Sequence, residues 1–239
     1  MKVLDCSESS PERDLALDEA LLEVCEEGGG RGVLRLHASG RTHVVVGFGN
    51  RVAAEVDVEA CEREGVPVLR RVSGGGTVVL GPGCLAYALV LPIDGEPELA
   101  SVTGTNRWVM ERQRAALESV LGRPVAVAGH TDLVVDGRKF SGNAQRRRRR
   151  MVLFHGTLLL DFDLPRIGRL LRMPSQQPEY REGRDHAGFV TNLGVPAGVV
   201  KEALRRAWGA TEPWEVPVEG TVQRLMDERY GQATWHRRR

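Results

Sequence analysis

The chain has 239 residues, of which 41% are hydrophobic and 27% charged, with a formal net charge of +1; that length builds one large core without disulfides or metals, and the balance excludes global disorder and any whole-chain attraction to nucleic acid. Cys6, Cys25, Cys61 and Cys84 are scattered without a C-x-x-C pair, and the opening MKVLDCSESSPERD has no apolar signal-peptide core. No apolar run approaches the roughly 20 residues of a membrane span, so the expectation is a cytoplasmic protein in a reducing compartment, with no membrane and no nucleic-acid partner.

Ser10-Pro11 reads as a helix N-cap followed by an N1 proline, and Leu17, Leu21, Val24 and Cys25 then recur at helical spacing until Gly28-Gly29-Gly30 stops the helix. VLRLHAS (33–39) and THVVVGFG (42–49) read as strands, DVEACEREG (57–65) as a short helix and VPVLRRV (66–72) as the next strand. TVVL (77–80) and CLAYALVLP (84–92) continue as strands, a helix is predicted from Ser101 to Leu121, and VAVAG (125–129) is a strand. In DLVVDGRKFSGNA the Asp136-Gly137 pair predicts a tight hairpin turn between apolar runs. RRRRR (146–150) is expected at a mobile loop tip, MVLFHGTLLLDF (151–162) as a strand, and helices at 164–172, 196–208 and 219–230. Strands and helices alternate without a βαβ rhythm, which predicts an α+β fold with a central mixed, mostly antiparallel sheet flanked by helices.

Between two apolar strands stands LRRVSGGGTVVLGPG (69–83). Three adjacent glycines weaken a strand and are entropically costly, so they point to backbone that comes very close to a bound ligand. The stretch is neither a P-loop nor a G-x-G-x-x-G opening a helix. No His pair at helical spacing and no Cys/His cluster marks a metal site, although magnesium held mainly by a substrate phosphate leaves no such signature. Among the 33 basic residues only Lys2, Lys139 and Lys201 are lysine. A lysine just past the Asp136-Gly137 turn therefore stands out in a chain that writes arginine wherever a generic cation serves.

RRVSGGGTVV (70–79), followed by Gly83 and Tyr87, and DLVVDGRKFSGNAQ (132–145), followed by HGTLLLD (155–161), resemble the two signature blocks of lipoate-protein ligases, within the wider family that includes biotin ligases and octanoyltransferases. The resemblance runs from DLALDEALLE (14–23) through VVVGFGN (44–50) to FVTNL (189–193). It implies an α+β catalytic domain over 1–210 with a short C-terminal extension at 211–239. The implied reaction forms lipoyl-adenylate from lipoate and ATP, with Mg2+ carried by the substrate phosphate, and transfers the acyl group to a lysine of a lipoyl carrier domain. Lys139 matches the family's catalytic lysine, whose compact ammonium can touch the carbonyl and a phosphate oxygen together. Arg71 matches a ligand-contacting arginine, whose fork suits phosphate or carboxylate. Ser73, Gly74, Gly75, Gly76 and Val78 belong to the adenylate cradle, where unshielded amides face the ligand. Ser141, Gly142 and Asn143 shape the loop behind Lys139. Asp132 matches an acid near the nucleotide that orients the lysine or binds ribose, and His155 either lines the site or is a structural histidine bonded to backbone.

Octanoyltransferases working through an acyl-thioester need a cysteine, shortly before the lysine block in one branch and well beyond it in another; AVAGHTDLVVDG has none and no cysteine follows Cys84. Cys84 itself reads either as a nucleophile or as buried packing. VVLGPGCLAY, in contrast, lacks the aromatic-His-Asp common after SGGG in ligases and resembles octanoyltransferases. The resemblance implies that the full accessory domain of many ligases is absent, leaving a separate accessory protein as one expectation. A non-catalytic carrier-binding protein is a third reading. The arginine run is a solvated loop or a clamp on acidic carriers or ATP phosphates, and the polar stretch 173–192 is a ligand-closing loop or a solvated connector. Lipoate and octanoate are not separated by these patterns.

Overall fold

The computed structural model describes residues 1–28, 32–174 and 176–238; the predicted helix stop at Gly29 and Gly30 lies outside them. Strand β1 (Lys2–Asp5) leads into helix α1 (Pro11–Gly28), opened by a first-turn proline and the acidic Glu12 and Asp14 that favour a helix N-terminus. β2 (Val33–His37) and β3 (His43–Val46) are shorter than their sequence patterns, and α2 (Val52–Glu55) follows where no helix is predicted. α3 (Val58–Arg63) is capped by Asp57, whose side chain accepts the Ala60 amide. β4 (Val68–Arg70), β5 (Val78–Leu80) and β6 (Cys84–Pro92) precede α4 (Val102–Leu121), which starts under a Ser101 cap and stops at Gly122 with φ 61°. β7 (Ala126–Ala128), β8 (Asp132–Val135) and β9 (Arg138–Arg147) come next, β8 and β9 joined by Asp136 and Gly137 at φ 51° and 71°, the positive values a two-residue hairpin turn requires. β10 (Met151–Leu159), α5 (Pro165–Leu170), α6 (His186–Phe189), α7 (Ala197–Ala207), β11 (Glu212–Pro213), α8 (Glu219–Leu225) and α9 (Ala233–Arg237) complete the order. Among the described residues no helix is long and apolar enough to cross a membrane.

Eight strands form one sheet in the order β11-β1-β2-β6-β10-β9-β8-β7, parallel at the β11-β1-β2 edge and antiparallel elsewhere. A three-stranded sheet, β4-β3-β5, stands beside it. The period-2 alternation of each long strand sends its two sets of side chains to two cores. Leu34, Leu36, Leu85, Tyr87, Leu89, Val152 and Phe154 pack with Val109, Met110 and Leu117 of α4 and Val200 and Leu204 of α7. Val33, Ala88, Val90, Met151 and Leu153 pack with Leu17, Leu21 and Leu22 of α1 and Val222 and Leu225 of α8.

The arginine run is not a free loop tip. Arg146 and Arg147 extend β9, and Arg147 donates to the Leu99 carbonyl at 2.6 Å and to Thr105 Oγ1 at 2.9 Å. Arg148 pairs with Glu23 at 2.9 Å, and the Arg150 amide donates to Glu26 Oε2 at 3.0 Å. The acidic C-terminal half of α1 thus neutralises the turn between β9 and β10, which sequence proximity alone does not disclose.

Under α1 the polar half of the VLRLH alternation is buried rather than solvated. Arg35 has no exposed surface; its guanidinium bonds the Asp14 carboxylate, the Asp14 carbonyl at 2.8 Å and Asp18 Oδ1 at 2.7 Å. Removing one member of a buried ion cluster leaves the others desolvated and unpaired, at a cost of about 3–5 kcal/mol. Arg35→Ala is accordingly expected to lower stability by about that amount in urea unfolding, and a loss below about 1 kcal/mol would show that the two carboxylates find other partners.

Candidate active site

A cavity of about 1370 Å³ opens between the two sheets, lined by residues of β3, β5, β6, β9, β10 and α1 and by Pro174 and residues between 176 and 190. Its apolar lining includes Leu15, Val45, Val78, Val79, Leu80 and Ala86.

Lys139 is the second residue of β9, directly after the tight turn. A register shift between Leu133 and Val134 re-aims the paired strands here, and Lys139 Nζ lies 2.8 Å from Asp132 Oδ1. The other Asp132 oxygen accepts the Tyr180 hydroxyl at 2.7 Å. Burial, reinforced by the Asp132 charge, raises the Tyr180 phenol well above its ordinary pKa, so it remains a donor. Gly142 is the residue beneath the ammonium: a Cβ there would sit 2.9 Å from Nζ and 3.0 Å from Cε, so a side chain would push the lysine off Asp132. The Lys139 carbonyl accepts the Thr191 amide at 2.9 Å, and Arg138 donates to the Val190 carbonyl at 2.6 Å. Within the polar stretch 173–192, Tyr180, Val190 and Thr191 are thereby fastened to β8 and β9 beside the cavity.

Opposite Lys139 runs the glycine loop. Gly75 takes φ 83°, and a Cβ on Gly47 would sit 2.1 Å from the Gly75 carbonyl oxygen, so both positions demand glycine. Arg71 is buried and points back into this loop: Nη2 donates to the carbonyls of Gly74 at 2.6 Å and Gly76 at 2.7 Å, Nη1 to Val45 at 3.3 Å, and Nε to Ser73 Oγ at 2.9 Å. Burial lowers its pKa to about 10, which leaves it charged at neutral pH. Because each carbonyl lies antiparallel to the next residue's N–H across a planar peptide, drawing the Gly74 and Gly76 carbonyls toward Arg71 turns the Gly75 and Thr77 amides away from it. Gly75, Gly76 and Thr77 all line the cavity.

Ser73 Oγ also lies 2.6 Å from His155 Nε2, and His155 Nδ1 lies 3.2 Å from Asp18 Oδ2. The two terminal bonds of this chain have a fixed direction: an arginine N–H only donates and an ionised carboxylate only accepts. Burial opposes the charge on Asp18, but the Arg35 guanidinium and the His155 hydrogen bond outweigh it and hold the carboxyl well below the usual range. Arg71 therefore donates to Ser73 and His155 donates through Nδ1–H to Asp18, with Ser73 Oγ and His155 Nε2 sharing the bond between them. His155 lines the cavity, and its partners are side chains rather than the backbone groups expected of a structural histidine.

Asn143 closes the floor. Its Oδ1 accepts the Tyr87 hydroxyl at 2.5 Å, and its Nδ2 donates to the Thr131 carbonyl at 2.6 Å and to the buried Ser141 Oγ at 3.2 Å. Gly156 leaves its room, since a Cβ there would lie 1.6 Å from Asn143 Oδ1.

The fold thus gathers Lys139, Asp132, Arg71, Gly75, Gly76, Val78, Ser141, Gly142 and His155 around one cavity, while Ser73 lies fully buried behind the loop and Gly74 is exposed beside it. Arg71 directs four of its five N–H donors to Val45, Ser73, Gly74 and Gly76. Cys6, Cys25, Cys61 and Cys84 line none of the cavity; Cys84 is buried, which pushes its thiol up to about 12. Tyr180, Asp18 and His37 are cavity residues that the motif reading misses. The i,i+4 pair Asp14 and Asp18, facing an Arg-x-His strand, was the available signal. Among the described residues no group of three or more His, Cys, Asp or Glu is placed to hold a metal ion.

Residues 10–200 match the family model of the lipoyl protein ligase A/B catalytic domain. The chain is 29% identical to octanoyltransferase LipM of Moorella thermoacetica, over 100% of this chain and 98% of that one. It is 35% identical over 171 residues to a candidate lipoate-protein ligase A of Aeropyrum pernix, covering 71% of this chain and 61% of the other. In fold it resembles a bipartite lipoate protein ligase of Thermoplasma acidophilum, studied with its E2 lipoyl domain, at TM-score 0.83 and 22% identity, covering 99% of this chain and 95% of that one.

Ser73→Ala leaves Arg71 Nε and His155 Nε2 without their partner, a loss of about 1–3 kcal/mol for buried groups. The expected outcome is a folded protein of modestly lower melting temperature in which the amides of 74–77 exchange with deuterium faster than in the wild type. Unchanged exchange would show that the other Arg71 bonds hold the loop by themselves.

Proposed function

Because the chain belongs to the lipoyl protein ligase A/B catalytic-domain family, we propose that it is an ATP-dependent lipoate-protein ligase acting on a lysine of a lipoyl carrier domain. One observation carries the choice within the family: the cavity presents a lysine ammonium to its ligand space and none of the four cysteines. An acyl-thioester enzyme needs an accessible thiolate. Cys84, near the glycine loop in sequence, is outside the cavity with its thiol held protonated at neutral pH. Adenylate chemistry asks for no nucleophilic side chain.

In the first half-reaction a lipoate carboxylate oxygen attacks the α-phosphorus of ATP, forming the acyl–phosphate bond as pyrophosphate leaves. In the second, the carrier lysine amine attacks the acyl carbon and AMP departs with the oxygen. Negative charge builds on phosphate oxygens in the first step and on the acyl oxygen in the second. Lys139 Nζ, steadied by Asp132 with Tyr180 behind it, stabilises both. The Gly75 and Thr77 amides, pre-turned by Arg71, offer fixed dipoles to the phosphate. Magnesium enters as the counter-ion of the nucleotide phosphates and requires no protein cage. The docked stretch around Tyr180 keeps water from the adenylate.

ATP–pyrophosphate exchange in the presence of lipoate tests this. Exchange is expected for the wild type and for Cys84→Ser, and a loss of about 10²–10³-fold for Lys139→Ala at unchanged folding. Modification of a lipoyl domain from presynthesised lipoyl-adenylate without any exchange would leave the transfer half alone to this chain. Acyl transfer from an octanoyl-carrier thioester that disappears in Cys84→Ser would overturn the proposal.

A further inference from the structure

The segment that follows the family match is fastened to the base of the glycine loop. α8 runs into a π-helical turn over Met226–Tyr230 and then α9, all beyond the matched residues 10–200. The wide turn brings two successive side chains to one carboxylate. Arg229 and the Tyr230 hydroxyl, the latter at 2.7 Å, both donate to the buried Glu19 of α1. The Tyr230 carbonyl then accepts His236 Nε2 at 2.8 Å, and His236 Nδ1 accepts the Arg70 amide at 3.0 Å. A carbonyl only accepts and an amide N–H only donates, so these two partners assign the imidazole as the neutral Nε2–H tautomer. Burial lowers the His236 pKa below its ordinary value, which keeps that tautomer at neutral pH.

β4 ends the order of the small sheet, so among the described residues the outward N–H and C=O of its last residue, Arg70, meet no further strand. Two side chains of α9 take the place of one: His236 accepts the Arg70 amide, and Trp235 Nε1 donates to the Arg70 carbonyl at 2.9 Å. The Arg70 guanidinium donates from one nitrogen to the Arg238 carbonyl at 2.7 Å, and from the other to the carbonyls of Gly47 at 2.9 Å and Asn50 at 2.8 Å. That turn is itself bonded to the glycine loop, by the Phe48 amide to the Ser73 carbonyl at 2.9 Å and by Asn50 Nδ2 to the Gly75 carbonyl at 3.1 Å. Asn50, Gly75 and Thr77 all line the cavity. Adjacent acids of α1 are thus linked to adjacent arginines. Asp18 reaches Arg71 through His155 and Ser73, and Glu19 reaches Arg70 through Tyr230 and His236.

We propose that His236, together with Trp235, is a positioning residue for the nucleotide: by holding both backbone groups of Arg70 it fixes the 47–50 turn, and through that turn the amides of Gly75 to Thr77. The inference rests on the ligase reading for the identity of the ligand and goes beyond it by giving the segment after the family match a part in binding. Losing the His236 acceptor leaves the buried Arg70 amide unpaired, a cost relieved when the end of β4 and the turn it holds shift. Lys139 and Asp132 stand on β8 and β9, away from this contact, so nucleotide binding suffers more than the chemical step.

The test compares the wild type with His236→Phe, which keeps a ring and removes the acceptor, and His236→Asn, whose Oδ1 can accept in its place. In His236→Phe without nucleotide, the amides of 47–50 and 74–77 are expected to exchange with deuterium about tenfold faster, the measure of one buried hydrogen bond, while those of β10 are unchanged. In lipoate-dependent pyrophosphate exchange the KM for MgATP should rise about tenfold with kcat within about twofold. His236→Asn should recover most of both. A folded His236→Phe protein that melts earlier yet keeps wild-type loop exchange and KM would overturn the proposal, as would equal effects in the two variants. If His236→Phe does not fold, Trp235→Phe, which removes the other bond to the Arg70 backbone, takes its place with the same expected and overturning results. A wild type without pyrophosphate exchange would overturn the ligase reading, and the loop exchange, which needs no nucleotide, then upholds or overturns the brace by itself.

Discussion

One carboxylate ties the two halves of the candidate site together. Asp18, in the middle of α1, accepts Arg35 from β2 on one oxygen and His155 from β10 on the other. Taking an aspartate out of water is costly, and the cost is offset here because each oxygen meets a donor that is itself fixed in a strand of the sheet. Through Arg35 the carboxylate clamps α1 to the sheet. Through His155 and Ser73 the same carboxylate orients Arg71, and Arg71 shapes the glycine loop.

The two adjacent arginines of the RRVSGGG motif illustrate how such a loop is held in shape by the protein itself. Arg70 is fully buried and donates to the carbonyls of Gly47, Phe48 and Asn50 and to that of Arg238 in the C-terminal segment. Arg71 does the same for Val45, Gly74 and Gly76. Loop carbonyls that find neither helix nor strand partners must be satisfied in another way. A planar fork of five donors serves several at once. With the carbonyls drawn inward, amides are left for the ligand side. The glycines are needed because carbonyl and neighbouring backbone approach more closely than a Cβ permits, as at Gly47 and Gly75.

Much of the fold was legible in the chain. The Ser101 cap and the Gly122 stop delimit α4 where the sequence places them, β6 keeps the bounds of its apolar run, and Asp136-Gly137 makes its tight turn. In these stretches local signals and tertiary packing ask for the same conformation. The pattern misled where a polar side chain is buried or paired at long range. VLRLH reads as a strand, and its polar members Arg35 and His37 prove to be buried. RRRRR reads as a free tip, yet Arg146 and Arg147 extend β9 and Arg148 and Arg150 meet glutamates on α1 about 125 residues away in sequence. THVVVGFG ends as a strand at Val46 because the carbonyls that follow turn toward Arg70.

The sequence by itself determined the mixed α+β architecture, the family, the glycine loop and the lysine that stands in the cavity, because caps, turns and apolar periods are local and the motifs lie within short windows. Only the tertiary structure decided the rest. It made Arg71, a residue of the cavity wall, also the fastener of its own loop, and set Tyr180 on Asp132. It joined Asp18 to His155 across 137 residues and gave the far end of the cavity a polar lining. Each of these is a pairing between groups distant in the chain, and their donors and acceptors meet only once the register of the sheet and the seat of α1 upon it are fixed.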